Sequence, residues 1–361
     1  HTLRGAGYTA ALAGVQHEAP EPGGAERIGY DLRLETDTHL AAPVAEAAAR
    51  FLKRPPSKPF FLSVGFVETH LLPGPSSFGY RPGNPRYALP PAPLPNSPET
   101  RGDTADFKVA AGVLDNGIGT VLGALGASGV AENTLVICTT DHGLPLPGMK
   151  GTLTDGGLGV MLILRGPGGF AGGRVVEGLV SQLDLFPTVC DLLGLPRAPR
   201  LERRSLLPLV RGETPKLHDA LFAETTHHVA YEPVRSVRTE RYRYSRRFDG
   251  RNTPVLVNCD DSPSKSYCLA QGWRERPVPE EALYDLAFDP YETHNLALEP
   301  AAFGVLQALR GRLDRWMIDT GDPLLRGPVG VPPGTLVKDP DGLSPSEPGR
   351  TEGGARARSL R

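Results

Sequence analysis

Apolar residues occur along this chain in short blocks of two different spacings, separated by polar segments rich in Gly and Pro. Thr9-Ala-Ala-Leu-Ala is a short apolar run that ends at Gly14, and Phe60-Phe-Leu-Ser-Val-Gly-Phe66 reads as an apolar strand. Thr134-Leu-Val-Ile-Cys-Thr-Thr140 and Val160-Met-Leu-Ile-Leu164 read as two further buried strands. Between them, Ala42 to Lys53 is Ala-rich and helical, stopped by Pro55-Pro56. Thr104 can cap a second helix, on which Phe107, Ala111, Leu114, Ile118, Val121 and Leu125 recur at helical spacing. Asp184 opens a third, with Pro187 in its first turn and Gly194 just past its end. Short apolar strands alternating with helices predict an α/β fold over residues 1–200, a mainly parallel sheet sandwiched by helices.

From residue 201 to 332 the pattern changes. Val234 to Tyr244 alternates basic and aromatic residues, which predicts an antiparallel strand pair, and Phe303 to Trp316 is amphipathic at helical spacing. This reads as a smaller C-terminal α+β subdomain. Residues 333–361 hold almost no apolar side chains and are expected to form a disordered tail. The Pro-rich stretch from Leu72 to Thr100 is too long for a simple connection, so it either shapes a site or is disordered.

Composition narrows the picture. With 43 Gly and 37 Pro in 361 residues the chain could be disordered, but 39% hydrophobic content supports a core. A net charge of -2 gives no electrostatic case for nucleic acid. No uninterrupted apolar run approaches the roughly 18 residues of a membrane span, so none is expected. Cys259 and Cys268 bracket a short polar loop and could pair in an oxidising compartment, whereas Cys138 and Cys190 read as buried hydrophobes. The absence of any CxxC pair argues against structural zinc. The chain starts at His1, with no apolar export signal, and reads as N-terminally truncated; the compartment is therefore left open.

In sheets of this kind ligands bind beyond the carboxyl ends of the strands. Three ends deliver polar groups: His17 after the first run, His70 after the second strand, and Asp141 with His142 after the third. Lys150 follows in a turn-rich segment. Asp141 and His142 can offer an oxygen and a nitrogen to a divalent cation, while the imidazoles and the lysine suit an oxyanion and a leaving group. Sulfate and phosphate ester hydrolysis need this combination. Singly, each residue is more simply a packed histidine, a solvated lysine or an ordinary strand exit.

Leu135-Val-Ile-Cys-Thr-Thr-Asp-His-Gly143, Lys150-Gly-Thr-Leu-Thr-Asp-Gly-Gly157 and Leu179-Val-Ser-Gln-Leu-Asp-Leu-Phe-Pro-Thr188 resemble, in that order, the signature of sulfatases in the alkaline phosphatase superfamily. Leu283-Tyr-Asp-Leu-Ala-Phe-Asp-Pro-Tyr-Glu-Thr-His-Asn-Leu296 resembles the family's closing motif. Thr226-His-His, Tyr231-Glu-Pro-Val-Arg-Ser-Val237 and Thr320-Gly-Asp-Pro323 are most similar to the heparan N-sulfatase branch. The resemblance implies that Asp141 and His142 bind calcium, that Lys150 binds sulfate oxygens, that His70 protonates the leaving group, and that His17 lies against the nucleophile. It also implies a sulfated small molecule or glycan as substrate. Val15 stands where the family has a second basic residue.

The family nucleophile is a formylglycine made from Cys or Ser in a Cys-x-Pro-x-Arg pattern, and none of the four cysteines fits it. Ser346-Glu-Pro-Gly-Arg350 matches the serine form but lies in the tail and reads as chance. The formylglycine is thus expected upstream of His1, and the chain alone is expected to be inactive. Two alternatives stand beside the sulfatase: a phosphate or phosphonate ester hydrolase of the same superfamily, and an inactive relative that binds anionic glycans through Arg235, Arg238, Arg241 and Arg243.

Overall fold

The structure, a computed structural model, describes residues 1–70, 77–196 and 204–351. Its first half opens with a helical turn α1 (Thr2–Gly5) and strand β1 (Thr9–Gly14), followed by α2 (Gly24–Ile28) and β2 (Leu32–Leu34). Helix α3 (Ala41–Lys53), β3 (Phe60–Gly65), the long α4 (Pro98–Ala127) and β4 (Val136–Thr139) come next. A single turn α5 (Asp155–Leu158), β5 (Leu162–Arg165), α6 (Leu185–Leu193) and α7 (Leu207–Val210) complete this half. The second half carries β6 (Leu221–His227), β7 (Tyr231–Arg238), β8 (Tyr242–Arg247), α8 (Pro263–Ala270), β9 (Glu281–Asp285) and α9 (Phe303–Thr320). Two short strands, β10 (Leu336–Val337) and β11 (Arg350–Thr351), follow.

β1 is the central strand of a parallel sheet ordered β2-β1-β3. Its Ala10 to Ala13 are buried, and Ala13 packs against Val44 and Ala48 of α3, so the Ala-rich helix lies close on the sheet. The strand expected at 160–164 is displaced to β5 and does not run parallel: it pairs antiparallel with β4, Val136 opposite Arg165. The segment joining them holds only the one-turn α5, with no crossover helix to return the chain to the starting end of β4.

The helix expected from Thr104 begins at Pro98 instead. Ser97 and Thr100 form a reciprocal capping box, and Pro98 occupies the first turn, where its missing N–H is harmless. Thr104 lies inside the helix, its hydroxyl donating to the Thr100 carbonyl at 2.6 Å. The most deeply buried side of α4 is its small-residue side: a Cβ on Gly117 would meet Ala41 of α3 at 3.2 Å. With Gly and Ala interleaved among its larger apolar residues, α4 is by length and composition long and apolar enough to cross a membrane, although no unbroken apolar run of that length stands in the sequence.

In the second half, β6-β7-β8-β9 form an antiparallel sheet of consecutive neighbours. Leu306, Leu309, Leu313 and Met317 of α9 pack on Val237, Tyr244 and Leu283 of that sheet, and Trp316 stacks on Phe222 at 5.0 Å. Residues 333–351, expected to be disordered, form turns and the β10–β11 ladder. Lys338 N–H donates to the Val229 carbonyl at 3.0 Å, and Asp341 pairs with Arg251 at 2.7 Å, which anchors this segment to the second half. Of the tail, 352–361 lie outside the described residues, as do 71–76 of the Pro-rich stretch.

Candidate active site

Lys150 and His70 are 80 positions apart in sequence, and the fold joins them: Lys150 Nζ donates to His70 Nε2 at 2.9 Å. Each is held by its own local frame. His70 N–H donates to the Val67 carbonyl in a turn after β3. In that turn the buried Glu68 accepts the Ala41 N–H at 2.9 Å and the Tyr80 hydroxyl at 2.5 Å. A carboxylate at the start of α3 satisfies one of the helix's unpaired N–H groups and meets the positive end of its dipole. The His70 turn is thereby fixed to the helix.

Lys150 is carried by a loop that returns on itself. Gly143 N–H donates to the Gly157 carbonyl at 2.8 Å, and a Cβ on Gly143 would meet the Gly156 carbonyl oxygen at 1.9 Å, so only glycine permits this closure. Leu146 and Met149 bury the middle of the loop. Gly151, at a φ of +80°, turns the chain past Lys150 so that its backbone approaches Asn258 and His228.

A second partner comes from the other half of the chain. Lys150 Nζ pairs with Asp260 Oδ2 at 2.8 Å, and both side chains are largely buried. His228 lies against the same turn, its Nδ1 3.4 Å from the point where a Gly151 Cβ would be. Sequence reasoning missed both as site residues. Asp260 has no local mark beyond the Asp260-Asp261 pair in a loop, and His228 stood only within Thr226-His-His.

Burial holds the His228 imidazole below its usual 6.5; Lys150 acts in the same direction and Asp260 against it. A folded value below the unfolded one means that the unfolded chain takes up the proton first as pH falls. The His228 contribution to stability is therefore intact above about pH 6.5 and lost as pH drops through the folded value. Urea unfolding at about pH 7.5 and about pH 5.5 is expected to show a larger loss in the native chain than in His228→Gln; equal losses would refute this.

Asp141 and His142 follow β4. His142 N–H donates to Asp141 Oδ1 at 3.0 Å, its Nε2 lies 3.6 Å from Asp141 Oδ2, and Asp141 is 82% exposed. They offer one carboxylate and one imidazole, whereas calcium takes about six to eight oxygens. No group of three His, Cys, Asp or Glu side chains gathers for a metal among the described residues. His17, three residues past β1, is exposed.

The arginines on which the anionic-glycan alternative rests are all engaged within the chain. Arg235 is buried against Asp322, Arg238 forks onto Asp155, Arg241 onto Asp285, and Arg243 is buried with Glu292. Glu292 holds a left-handed backbone at φ 55°, unusual for its type, and also accepts the Asp155 N–H at 2.6 Å. The Arg238 pair and the Glu292 bond, both to Asp155, tie the C-terminal sheet to the segment that follows Lys150, and each of the four guanidiniums has a carboxylate partner. Cys259 and Cys268 are both free thiols, and burial pushes the Cys259 thiol up to about 12, an unreactive form.

A family profile described as Sulfatase matches residues 3–195. Human N-sulphoglucosamine sulphohydrolase is 30% identical over 91% of this chain and 75% of its own length. An ulvan-active sulfatase of Formosa agariphila is 30% identical over 56% of this chain, which spans only 41% of that protein. Among solved structures, a protein described in complex with its substrate D-glucosamine-2-N,6-O-disulfate superposes with a TM-score of 0.66 at 15% identity, over 91% of this chain and 82% of its own. The phosphonate monoester hydrolase of Agrobacterium radiobacter superposes with a TM-score of 0.62 at 21% identity, over 88% and 79%. At these identities the superpositions establish the shared alkaline-phosphatase-like fold, while the profile and the human enzyme establish the lineage: the chain belongs to the sulfatase family, the sulfuric ester hydrolases.

Proposed function

We propose that this chain takes part in hydrolysing a sulfate ester or sulfamate on a sulfated sugar, with N-sulfoglucosamine as the candidate unit. The single observation that carries the reading is the contact of Lys150 with His70. The ammonium donates to Nε2, so His70 accepts in this contact; it sets a sulfate ligand beside the nitrogen that would deliver the leaving-group proton once it has itself been protonated. Lys150 would hold a sulfate oxygen through a charge-assisted bond, and His70 would protonate the oxygen or nitrogen that leaves sulfur. The 30% identity to human N-sulphoglucosamine sulphohydrolase supports the substrate class.

His17 would lie beside the nucleophile, as the family resemblance implies. The formylglycine itself has no counterpart at Cys138, Cys190, Cys259 or Cys268, and would come from sequence outside these 361 residues. Asp141 and His142 would contribute two ligands to a calcium ion that neutralises sulfate charge when bound. The pair alone is an incomplete donor set, and the roles given to Lys150 and His70 do not pass through it.

The test compares an aryl sulfate and an aryl phosphate as substrates for this chain and for a version extended upstream by a Cys-x-Pro-x-Arg segment. The extended form is expected to hydrolyse the sulfate and the 361-residue chain to hydrolyse neither. A preference for the phosphate would move the function to the phospho-hydrolysing side of the superfamily. Turnover by the shorter chain would overturn the assignment of the nucleophile.

A further inference from the structure

We propose that Asp260 is a positioning residue for Lys150: its carboxylate, delivered from the second half of the chain, holds the ammonium against His70 and leaves one N–H for an anionic oxygen. The inference rests on the reading of Lys150 as the sulfate ligand.

An ammonium has three donors and no acceptor. Two are used, one on His70 Nε2 at 2.9 Å and one on Asp260 Oδ2 at 2.8 Å. Lysine is flexible, with about 2 kcal/mol of rotamer entropy, and a single bond to a neutral imidazole is a weak restraint on it. The carboxylate adds a charge-assisted bond where the Lys150 side chain is only 11% exposed.

Asp260 is itself held in place. Just before it, the buried Asn258 accepts the N–H groups of Val229 and Ala230 at 3.0 and 2.8 Å and donates to Glu232 at 2.8 Å. The buried Lys265 donates to the Cys259 carbonyl at 2.6 Å and pairs with Asp261 at 2.9 Å. Just after it, Ser262 caps α8, and Asp103 of α4 accepts the Ser264 N–H at 2.7 Å. The backbone on both sides of Asp260 is therefore tied down before any ligand arrives. A group fixed in this way lowers the ordering cost of binding.

Asp260 has a second, opposing effect, because its negative charge lies close to where a sulfate would be. If it only balanced the charge of Lys150, removing that charge would tighten sulfate binding; if it positions Lys150, removing it loosens binding. The sign separates the two.

The experiment uses the full chain with 15N-labelled histidine. NMR is read without and with inorganic sulfate, for the native protein and for Asp260→Asn, Asp260→Glu and Lys150→Ala. In the native chain the His70 signals are expected to report one tautomer, with Nε2 accepting and the proton on Nδ1. Asp260→Asn is expected to average the tautomers and weaken sulfate by about threefold or more, and Asp260→Glu to restore both in part. Unchanged His70 signals, or tighter sulfate binding, in Asp260→Asn would overturn the proposal. Failure of the underlying sulfate-site reading looks different: sulfate would leave His70 undisturbed in the native chain, or disturb it equally in Lys150→Ala. The tautomer readout needs no sulfate and tests Asp260 in either case.

Discussion

Asp322→Ala is expected to lower the unfolding free energy by about 3–5 kcal/mol, because it strands a buried guanidinium. Arg235 is 1% exposed, and Asp322 receives two of its bonds, from Nε at 2.5 Å and from Nη2 at 3.1 Å. Its remaining donors reach the Thr225 and Val234 carbonyls and the Thr226 hydroxyl, none of which carries charge. Asp322 also accepts the Leu324 N–H at 2.9 Å, so a second buried donor loses its partner. Urea unfolding followed by tryptophan fluorescence suits the measurement, since Trp316 lies on α9, which ends just before Asp322. Combining Asp322→Leu with Arg235→Met is expected to recover most of the loss, because an apolar pair leaves no buried charge. A loss below about 1 kcal/mol in the single variant would show that Glu224, 3.4 Å from Arg235 Nε, suffices as a partner.

Lys150→Ala is expected to weaken inorganic sulfate binding by about 10- to 100-fold, the worth of one hydrogen bond to a charged group. In a form that turns over an aryl sulfate, the same change is expected to lower kcat by about 100- to 1,000-fold, as loss of a donor aimed at developing negative charge does. The loss has two parts. The sulfate loses its cation, and Asp260 is left as an unpaired negative charge where the anion must bind. Lys150→Ala with Asp260→Ala should therefore bind sulfate better than Lys150→Ala alone. Calorimetric titration of the chain with sulfate checks the first claim and steady-state kinetics the second; equal sulfate affinity in native and Lys150→Ala chains would remove Lys150 from the site.

The strand and helix blocks were legible because burial imposes a period on the sequence, and local chemistry ends the elements. Ala42 to Lys53 forms α3 almost residue for residue, and Gly194 terminates α6 in the left-handed conformation. The start of α4 was misplaced because two hydroxyl residues compete as caps, and Ser97 followed by Pro98 fits better than Thr104 does. The direction of β5 was not legible at all. An apolar run has the same composition whichever way its neighbour runs.

For the site, the sequence singled out His17, His70, Lys150, Asp141 and His142, since strand ends and family motifs mark those positions locally. It gave Lys150 no partner, and it gave none to the arginines between Arg235 and Arg243. The fold pairs Lys150 with Asp260 across 110 residues, and Arg238 with Asp155 across 83. The sequence by itself thus determined most element types and the family, and marked candidate side chains for the site, because periodicity, caps and motif order are local. Only the tertiary structure decided which charges meet, because those pairs close through the packing of whole elements and leave no trace in the spacing of neighbouring residues.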